Sequence, residues 1–527
     1  MSDNQSRQGC RANQAFSIEF AYFEAGFVKQ TEKLSCVFKL KNFFRNFARA
    51  YTEPIEDDLI MFLSFSIVVV FLLGYTCIAL ENGLKVNKTA IALLMCTVCW
   101  TLYMFGCPEY VSEFHAEEFS KFMEVFHLDD RVAAARQFIG QKVLLEHLGD
   151  TCEILFFLMG AMTIVEVVDS HGGLNFVRSK LATRGKRLLL WRFVAITFFL
   201  SAVLDNLTTS ILMVMVLRKL VPEKSDRMIF AAMIILAANA GGAFSPIGDV
   251  TTIMLWIKGN ITSIGVVKEV LLPSVVSILV PTFILQYKLK GNLEKEPSKK
   301  ELNKMILTKE ERVAVFIVGV GGLMFVPFFR SFTGLPPFMG ILLVLGVLWT
   351  MTEVFLRREH EAEGTLGQRV SKTLHKIDMS TILFFLGILM TVASLSEIGV
   401  LSQFGMWLER TTDGNAYLVT GIIGMASSVV DNVPLVAGCI GMYEVASPVT
   451  TDPMAMMFVQ DGLFWQLLAY CAGVGGSLLI VGSAAGVVVM GSEKMTFGWY
   501  ARHISLIAFI GYLAGMATYW LERTFLF

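Results

Sequence analysis

The sequence predicts an all-α polytopic membrane protein made of two inverted-topology repeats, each with a re-entrant hairpin and a discontinuous transmembrane helix. Three observations carry that prediction. The 527 residues are 54% hydrophobic and only 17% charged, the balance of a chain that lives in lipid. Asp205 and Asn206 sit in the middle of the apolar run from Trp191 to Leu217. An Asp at bilayer depth costs about 2.5–3.5 kcal/mol, so it marks a functional position by default. The pattern then returns, because Ser427, Val429, Asp431 and Asn432 repeat Ser201, Val203, Asp205 and Asn206.

A formal net charge of −1 gives no basic field, which argues against a nucleic-acid partner. The nine cysteines fall mostly in or beside apolar runs and suggest no disulfide framework. Cys96 and Cys99 form a CxxC in mid-helix with no second pair or His cluster, so packing explains them better than a metal. No GxxxxGK[ST] stretch occurs, and no cofactor is expected.

In order, the expected organisation is an extramembrane segment 1–58, N-terminal transmembrane helices 59–110, an acidic loop 111–150 and transport repeat 1 at 151–287. A basic cytoplasmic linker 288–312, connecting helices 313–376, transport repeat 2 at 377–491 and a C-terminal transmembrane helix 492–527 follow. Within 1–58, Leu34, Val37, Phe38, Phe44, Phe47 and Tyr51 recur at near-helical spacing beside Lys33, Lys39, Lys41, Arg45 and Arg49. That pattern suits an amphipathic helix on an anionic membrane surface; a solvated tail fits it equally. Spans are expected at about 59–80, 88–106, 152–168, 228–258, 263–287, 312–328, 337–356, 379–398, 463–490 and 503–521.

The two Asp-Asn segments, 191–217 and 416–440, are the exceptions. Loops 170–190 and 218–227 carry five and four basic residues, so both ends of the first segment read as cytoplasmic. Loop 399–415 carries only Arg410 and loop 441–462 none, so both ends of the second read as external. Opposed re-entrant hairpins with Asp205 and Asp431 at their tips satisfy all four counts. Loops 288–312 and 357–377, with eight and five basic residues, then come out inside. Counting backward leaves the N-terminus external despite its basic helix, a conflict that a re-entrant piece near 130–148 would remove.

The second element of each repeat aligns without a gap: Gly241, Gly242, Gly248 and Asp249 lie over Gly475, Gly476, Gly482 and Ser483, a shift of 234. Glycine pairs and Pro246 disfavour a continuous helix, and unwound backbone at membrane depth is tolerated only around a cavity or inside protein. The first elements match as well, with Phe156-Phe157-Leu158 and Met162-Thr163 repeated as Phe384-Phe385-Leu386 and Met390-Thr391. Together these are the features of a secondary transporter with its site at the repeat interface.

A small hard cation wants several oxygen ligands. Asp205, Asp249 and Asp431 would supply charge, with Asn206, Asn432, Ser245, Thr251, Ser428 and Ser483 as neutral oxygens and Glu166 in a supporting ion pathway. Burial raises a carboxylate's proton affinity and a bound cation lowers it, so proton and cation compete for one group. The competing reading of each Asp is a helix cap. Thr208, Thr209 and Thr252 read as helix-face hydroxyls bonding their own backbone.

The stretches 156–173 (FFLMGAMTIVEVVDSHGG), 200–214 (LSAVLDNLTTSILMV), 238–257 (ANAGGAFSPIGDVTTIMLWI), 427–438 (SSVVDNVPLVAG) and 481–491 (VGSAAGVVVMG) closely resemble the NhaD family of sodium/proton antiporters. The resemblance runs from about Leu59 to the C-terminus. It implies exchange of Na+ or Li+ for protons, with Asp205, Asp249 and Asp431 as the leading sodium-site carboxylates. Dicarboxylate relatives in the same superfamily typically carry Ser-Asn-Thr at the hairpin tips; Asp at both tips here fits a cation better. An anion carrier on the same scaffold, dicarboxylate or arsenite-like, is the alternative. An intramembrane aspartyl protease is a remote one, since neither tip Asp sits in a Gly-x-Gly-Asp sequence. The expected partners are Na+ or Li+, protons and the lipid bilayer, with a homodimer admitted. The expected location is a bacterial inner membrane, with an organelle envelope compatible.

Overall fold

The computed structural model describes residues 58–79, 85–127, 130–173, 181, 183–289, 291–293, 308–360, 377–452, 454–480 and 482–525, for residues 58, 79 and 356–360 the backbone alone. The amphipathic pattern of the N-terminal segment and most of the basic residues in loops 288–312 and 357–377 lie outside the described residues. The chain divides into two units, Met1–Phe65 and Ser66–Phe527. Of the first, only the opening turns of α1 (Asp58–Ala79) are described.

Regular structure among the described residues is helical apart from two isolated β-bridges. After α1 come α2 (Lys88–Phe105), α3 (Cys107–Phe114), α4 (Ala116–Phe126), α5 (Arg131–Ser170) and α6 (Lys186–Leu204). Next are α7 (Asn206–Leu220), α8 (Lys224–Ala243), α9 (Val250–Ile257), α10 (Ser263–Leu285), α11 (Lys309–Thr333) and α12 (Pro337–His360). The chain continues with α13 (Met379–Glu397), α14 (Val400–Thr411), α15 (Ala416–Ala426), α16 (Asn432–Met442), α17 (Leu463–Gly475), α18 (Ala484–Glu493) and α19 (Phe497–Phe525). Ten of these are long and apolar enough to cross a membrane.

Two expectations change. The residues expected as an acidic loop are helical, as α3, α4 and the first half of α5. The re-entrant piece proposed near 130–148 is not there, because those residues run straight into α5 through a single π-turn at Ile139–Val143. At 1.5 Å per residue the 40 residues of α5 reach about 60 Å, twice the hydrocarbon thickness. The charge conflict over the N-terminus therefore stands.

The breaks fall where the sequence pattern puts them. The first Asp-Asn segment divides at Asp205 into α6 and α7, and the second at 427–431 into α15 and α16. The glycine-rich segments divide as well, into α8 and α9 and into α17 and α18. α6 alone has 19 residues, enough to span about 28 Å, so the first segment is longer than the sequence pattern implied.

Equivalent contacts recur in the two halves. Ser201 Oγ donates to Ala238 O at 2.6 Å, and Ser427 Oγ donates to Ala472 O at 2.9 Å. Gly241 packs on the Phe198 carbonyl, and Gly475 on the Gly424 carbonyl; in each place a Cβ would strike backbone. Asp249 and Ser483 cap α9 and α18 at nearly the same backbone angles, φ −145°, ψ 145° and φ −144°, ψ 150°. Small residues thus let the broken helices lie against their neighbours at backbone contact, and that closeness brings four helix starts together.

Candidate functional site

Asp205 occupies the break between α6 and α7 at φ +70°, a region non-glycine residues seldom enter and hold only where the surroundings enforce it. Its carboxylate is a true N-cap, accepting from the Thr208 N–H at 2.8 Å and from Thr208 Oγ1 at 2.7 Å. Asp431 makes no such cap bond; its backbone N–H donates to the Tyr75 hydroxyl at 3.0 Å. The two aspartates therefore occupy matching places in sequence with different local bonding.

The two adjacent asparagines converge on the third aspartate. Asn206 Nδ2 donates to Asp249 Oδ2 at 2.8 Å, and Asn432 Nδ2 lies 3.3 and 3.4 Å from the two Asp249 oxygens. Asp249 also accepts from the Thr251 N–H at 3.2 Å. Asn239, in the middle of α8, extends the network: its Oδ1 accepts from Asn206, and its Nδ2 donates to Ser477 Oγ and Ser483 Oγ at 2.9 Å each. All six side chains are buried. Buried polar groups are stable only when paired, so this network fixes how the four broken helices meet.

A cavity of about 30 Å³ lies at this point, lined by Asp205, Asn206, Asp249, Asp431 and Asn432 with Leu158, Met162 and Phe385 among its apolar walls. Among the described residues no Lys, Arg or His lines it, although the charge of Lys88 acts on Asp431 from outside the wall. Its volume holds a small ion or about two waters. Helices α7, α9, α16 and α18 all begin at residues lining it, so the positive ends of their dipoles face the carboxylates. Among the described residues no three His, Cys, Asp or Glu side chains come close enough to hold one metal ion. The three aspartates thus line one cavity without forming one coordination sphere.

Of the supporting residues named from sequence, Ser483 joins this network through its hydroxyl, and Thr251 joins it only through its backbone N–H. Ser245 instead ties the turn after α8 to α6 by donating to Ala202 O at 2.5 Å, and Ser428 bonds Met425 O at 2.7 Å within its own turn. Thr252 bonds Asp249 O at 2.9 Å, as a helix-face hydroxyl should, whereas the Thr208 hydroxyl bonds the Asp205 carboxylate and the Thr209 hydroxyl has no partner among the described residues. Glu166 lies on α5 and is not among the residues lining the cavity. Sequence reasoning missed Asn239, Ser477 and Tyr75. The signal for Asn239 was present as a lone amide in an alanine-rich run, Ala237-Ala238-Asn239-Ala240.

Residues 59–459 match a family model described as a citrate transporter. The chain is 41% identical over 506 residues to "Sodium/proton antiporter 1" of Arabidopsis thaliana, covering 95% of this chain and 79% of that protein. It is 40% identical over 462 residues to "Sodium/proton antiporter 2" of the same plant, covering 86% and 98%. To "Na(+)/H(+) antiporter NhaD" of Vibrio cholerae it is 26% identical over 479 residues, covering 86% and 91%.

Proposed function

The chain belongs to the citrate transporter family, which makes it a multi-pass membrane transporter and not an enzyme, and on that premise we propose that it exchanges sodium, or lithium, for protons. The observation that carries the choice of ion is the small acidic cavity with three aspartates and, among the described residues, no basic side chain in its wall. Relatives named as sodium/proton antiporters support the same reading.

In this proposal Asp249 is the group for which proton and cation compete. Each neighbouring amide carries a donor and an acceptor: the NH2 groups of Asn206 and Asn432 hold the Asp249 carboxylate, and a half-turn of either amide presents its oxygen to a cation beside it. Asp205 and Asp431 add negative charge at the cavity wall. Protonation of Asp249 weakens cation binding, and a bound cation expels the proton. Alternating access, through two inverted repeats with opposed re-entrant hairpins, then makes the competition an exchange across the bilayer. The contacts recurring between the halves support the repeat.

The family description and the four helix N-termini favour a second reading, transport of an organic anion. Three carboxylates facing the cavity oppose it by charge. For the host membrane the proposal is a bacterial inner membrane, with an organelle envelope compatible; the relatives come from a bacterium and a plant alike.

The test is proton movement in liposomes holding the purified protein, an internal pH dye and an imposed pH gradient. Sodium or lithium chloride should collapse the gradient while choline chloride does not. A response to succinate or citrate alone would replace this reading with the anion carrier.

A further inference from the structure

The first turn of α2 departs from what a helix start favours. Asn87 caps the helix by accepting from the Thr89 N–H at 2.8 Å, yet the residue between them is Lys88, a cation at the positive end of the helix dipole. No acidic residue stands in that turn to compensate. Lys88 is half-buried, and its ammonium lies 4.4 Å from the centre of the Phe384 ring on α13, which holds the charge close to the protein. A locally unfavourable charge that is nonetheless held in place points to a functional position.

That position adjoins the acidic cavity. Phe384 lies 5.6 Å from Phe385, which lines the cavity together with Thr381 and Ile382 of the same helix. Thr89 Oγ1 donates to Ser380 O at 2.9 Å and Asn87 Nδ2 to Ser380 Oγ at 3.3 Å, so the start of α2 is fastened to the first turn of α13. Tyr75 of α1 meets the same region by accepting from the Asp431 N–H at 3.0 Å. Exposure rises along this edge, from half-buried Asp431, Thr381 and Lys88 to exposed Asn87 and Asp378. The charge of Lys88 acts on Asp431 across it.

We propose that Lys88 is a built-in counter-cation at the mouth of the acidic cavity, which weakens the hold on sodium so that the ion leaves as readily as it enters. Three carboxylates around so small a volume would bind a cation tightly, and a transporter must release its cargo on every cycle. An ammonium outside the wall offsets part of that charge without taking up a ligand position. Its flexible four-carbon stem lets it lean toward Asp431 when the cavity is empty and draw back over the Phe384 ring when a cation arrives. Lys88 touches no transported ion; it is a positioning residue that acts through the charge of Asp431 and sets the affinity of the site.

The inference rests on the sodium/proton reading. It is tested by equilibrium binding of radioactive sodium to the purified full-length protein, at a pH high enough that binding no longer depends on pH, with exchange measured in parallel in liposomes. Lys88→Gln should lower the half-saturating sodium concentration about fivefold and lower the maximal exchange rate, while Lys88→Arg keeps both near wild type. A damaged fold binds more weakly, so tighter binding with slower turnover separates the proposed role from a structural one. Unchanged or weaker binding in folded Lys88→Gln would overturn the proposal. Lys88→Met, which keeps an unbranched stem against the Phe384 ring, gives the same reading if Lys88→Gln does not fold. Failure of both neutral variants to fold while Lys88→Arg folds would show that the charge serves the fold alone, and would also overturn it. Absence of both sodium binding and sodium-driven proton movement in the wild type would instead overturn the exchange reading itself.

Discussion

Each aspartate at the cavity has a local task that a neutral amide can share and a charge that it cannot. Asn is as good an N-cap as Asp, so Asp205→Asn keeps an acceptor for the Thr208 N–H and should fold normally. Asp431 has no cap bond to lose, and Asp249→Asn retains an oxygen for the Thr251 N–H. All three variants should reach the membrane at wild-type levels while sodium-dependent proton movement falls about 100-fold or more. Retained exchange in any of them, measured in the liposome assay, removes that residue from the mechanism.

Side-chain clamps on the helices hold the broken elements in place. The Glu493 carboxylate at the end of α18 is fully enclosed and takes Arg218 Nε at 2.7 Å and Arg227 Nε at 2.5 Å, tying α18 to the end of α7 and the start of α8. Glu493→Gln leaves both arginines without their anion. It should cost about 3 kcal/mol, the low end for a broken buried pair because the arginines can still reach water. A lowered Tm in detergent checks this, and an unchanged Tm would show that the clamp adds nothing.

A second clamp joins α3, α5 and α13: Glu397 bonds His115 Nε2 at 2.6 Å and His147 Nε2 at 2.7 Å, with the Tyr103 hydroxyl at 3.3 Å. The hydrogen bond to Glu397 is the main cause of a His115 pKa raised above its ordinary 6.5; Glu118 adds to the rise and Lys142 opposes it. A group whose pKa is higher in the folded state stabilises the fold fully below its unfolded value and ceases to do so as pH rises through the folded one. Thermal stability should therefore fall, as pH rises from about 6.5 through the raised folded pKa, more steeply in the wild type than in His115→Gln. Parallel profiles would mean that His115 does not titrate in this window.

At the scale of the whole molecule, the proposed inverted arrangement predicts that loops following matching elements lie on opposite sides. In a background freed of reactive native thiols, Ser225→Cys should be labelled only from the cytoplasm and Ser447→Cys only from outside. Both serines are exposed, so accessibility does not confound the result. Labelling of both from one side would refute the inversion while leaving the acidic cavity intact.

What the sequence determined by itself follows from local and periodic physics. Apolar runs of bilayer length mark the spans, and glycine pairs with Pro246 mark where helices break. A charged pair inside an apolar run marks the positions around which the chain closes, and the same motif twice, at shifts of 226 and 234, marks the repeat. The tertiary structure alone decided which of those groups meet. Asp205 and Asp431 carry the most conspicuous motifs, yet both asparagines turn to Asp249, because that carboxylate stands where the starts of α7, α9 and α16 converge. Asn239 joins Ser477 and Ser483 across 238 and 244 residues of chain, a distance no period or propensity encodes. Hydrogen bonds between buried groups depend on atomic positions in three dimensions, and sequence spacing fixes those only within one helix.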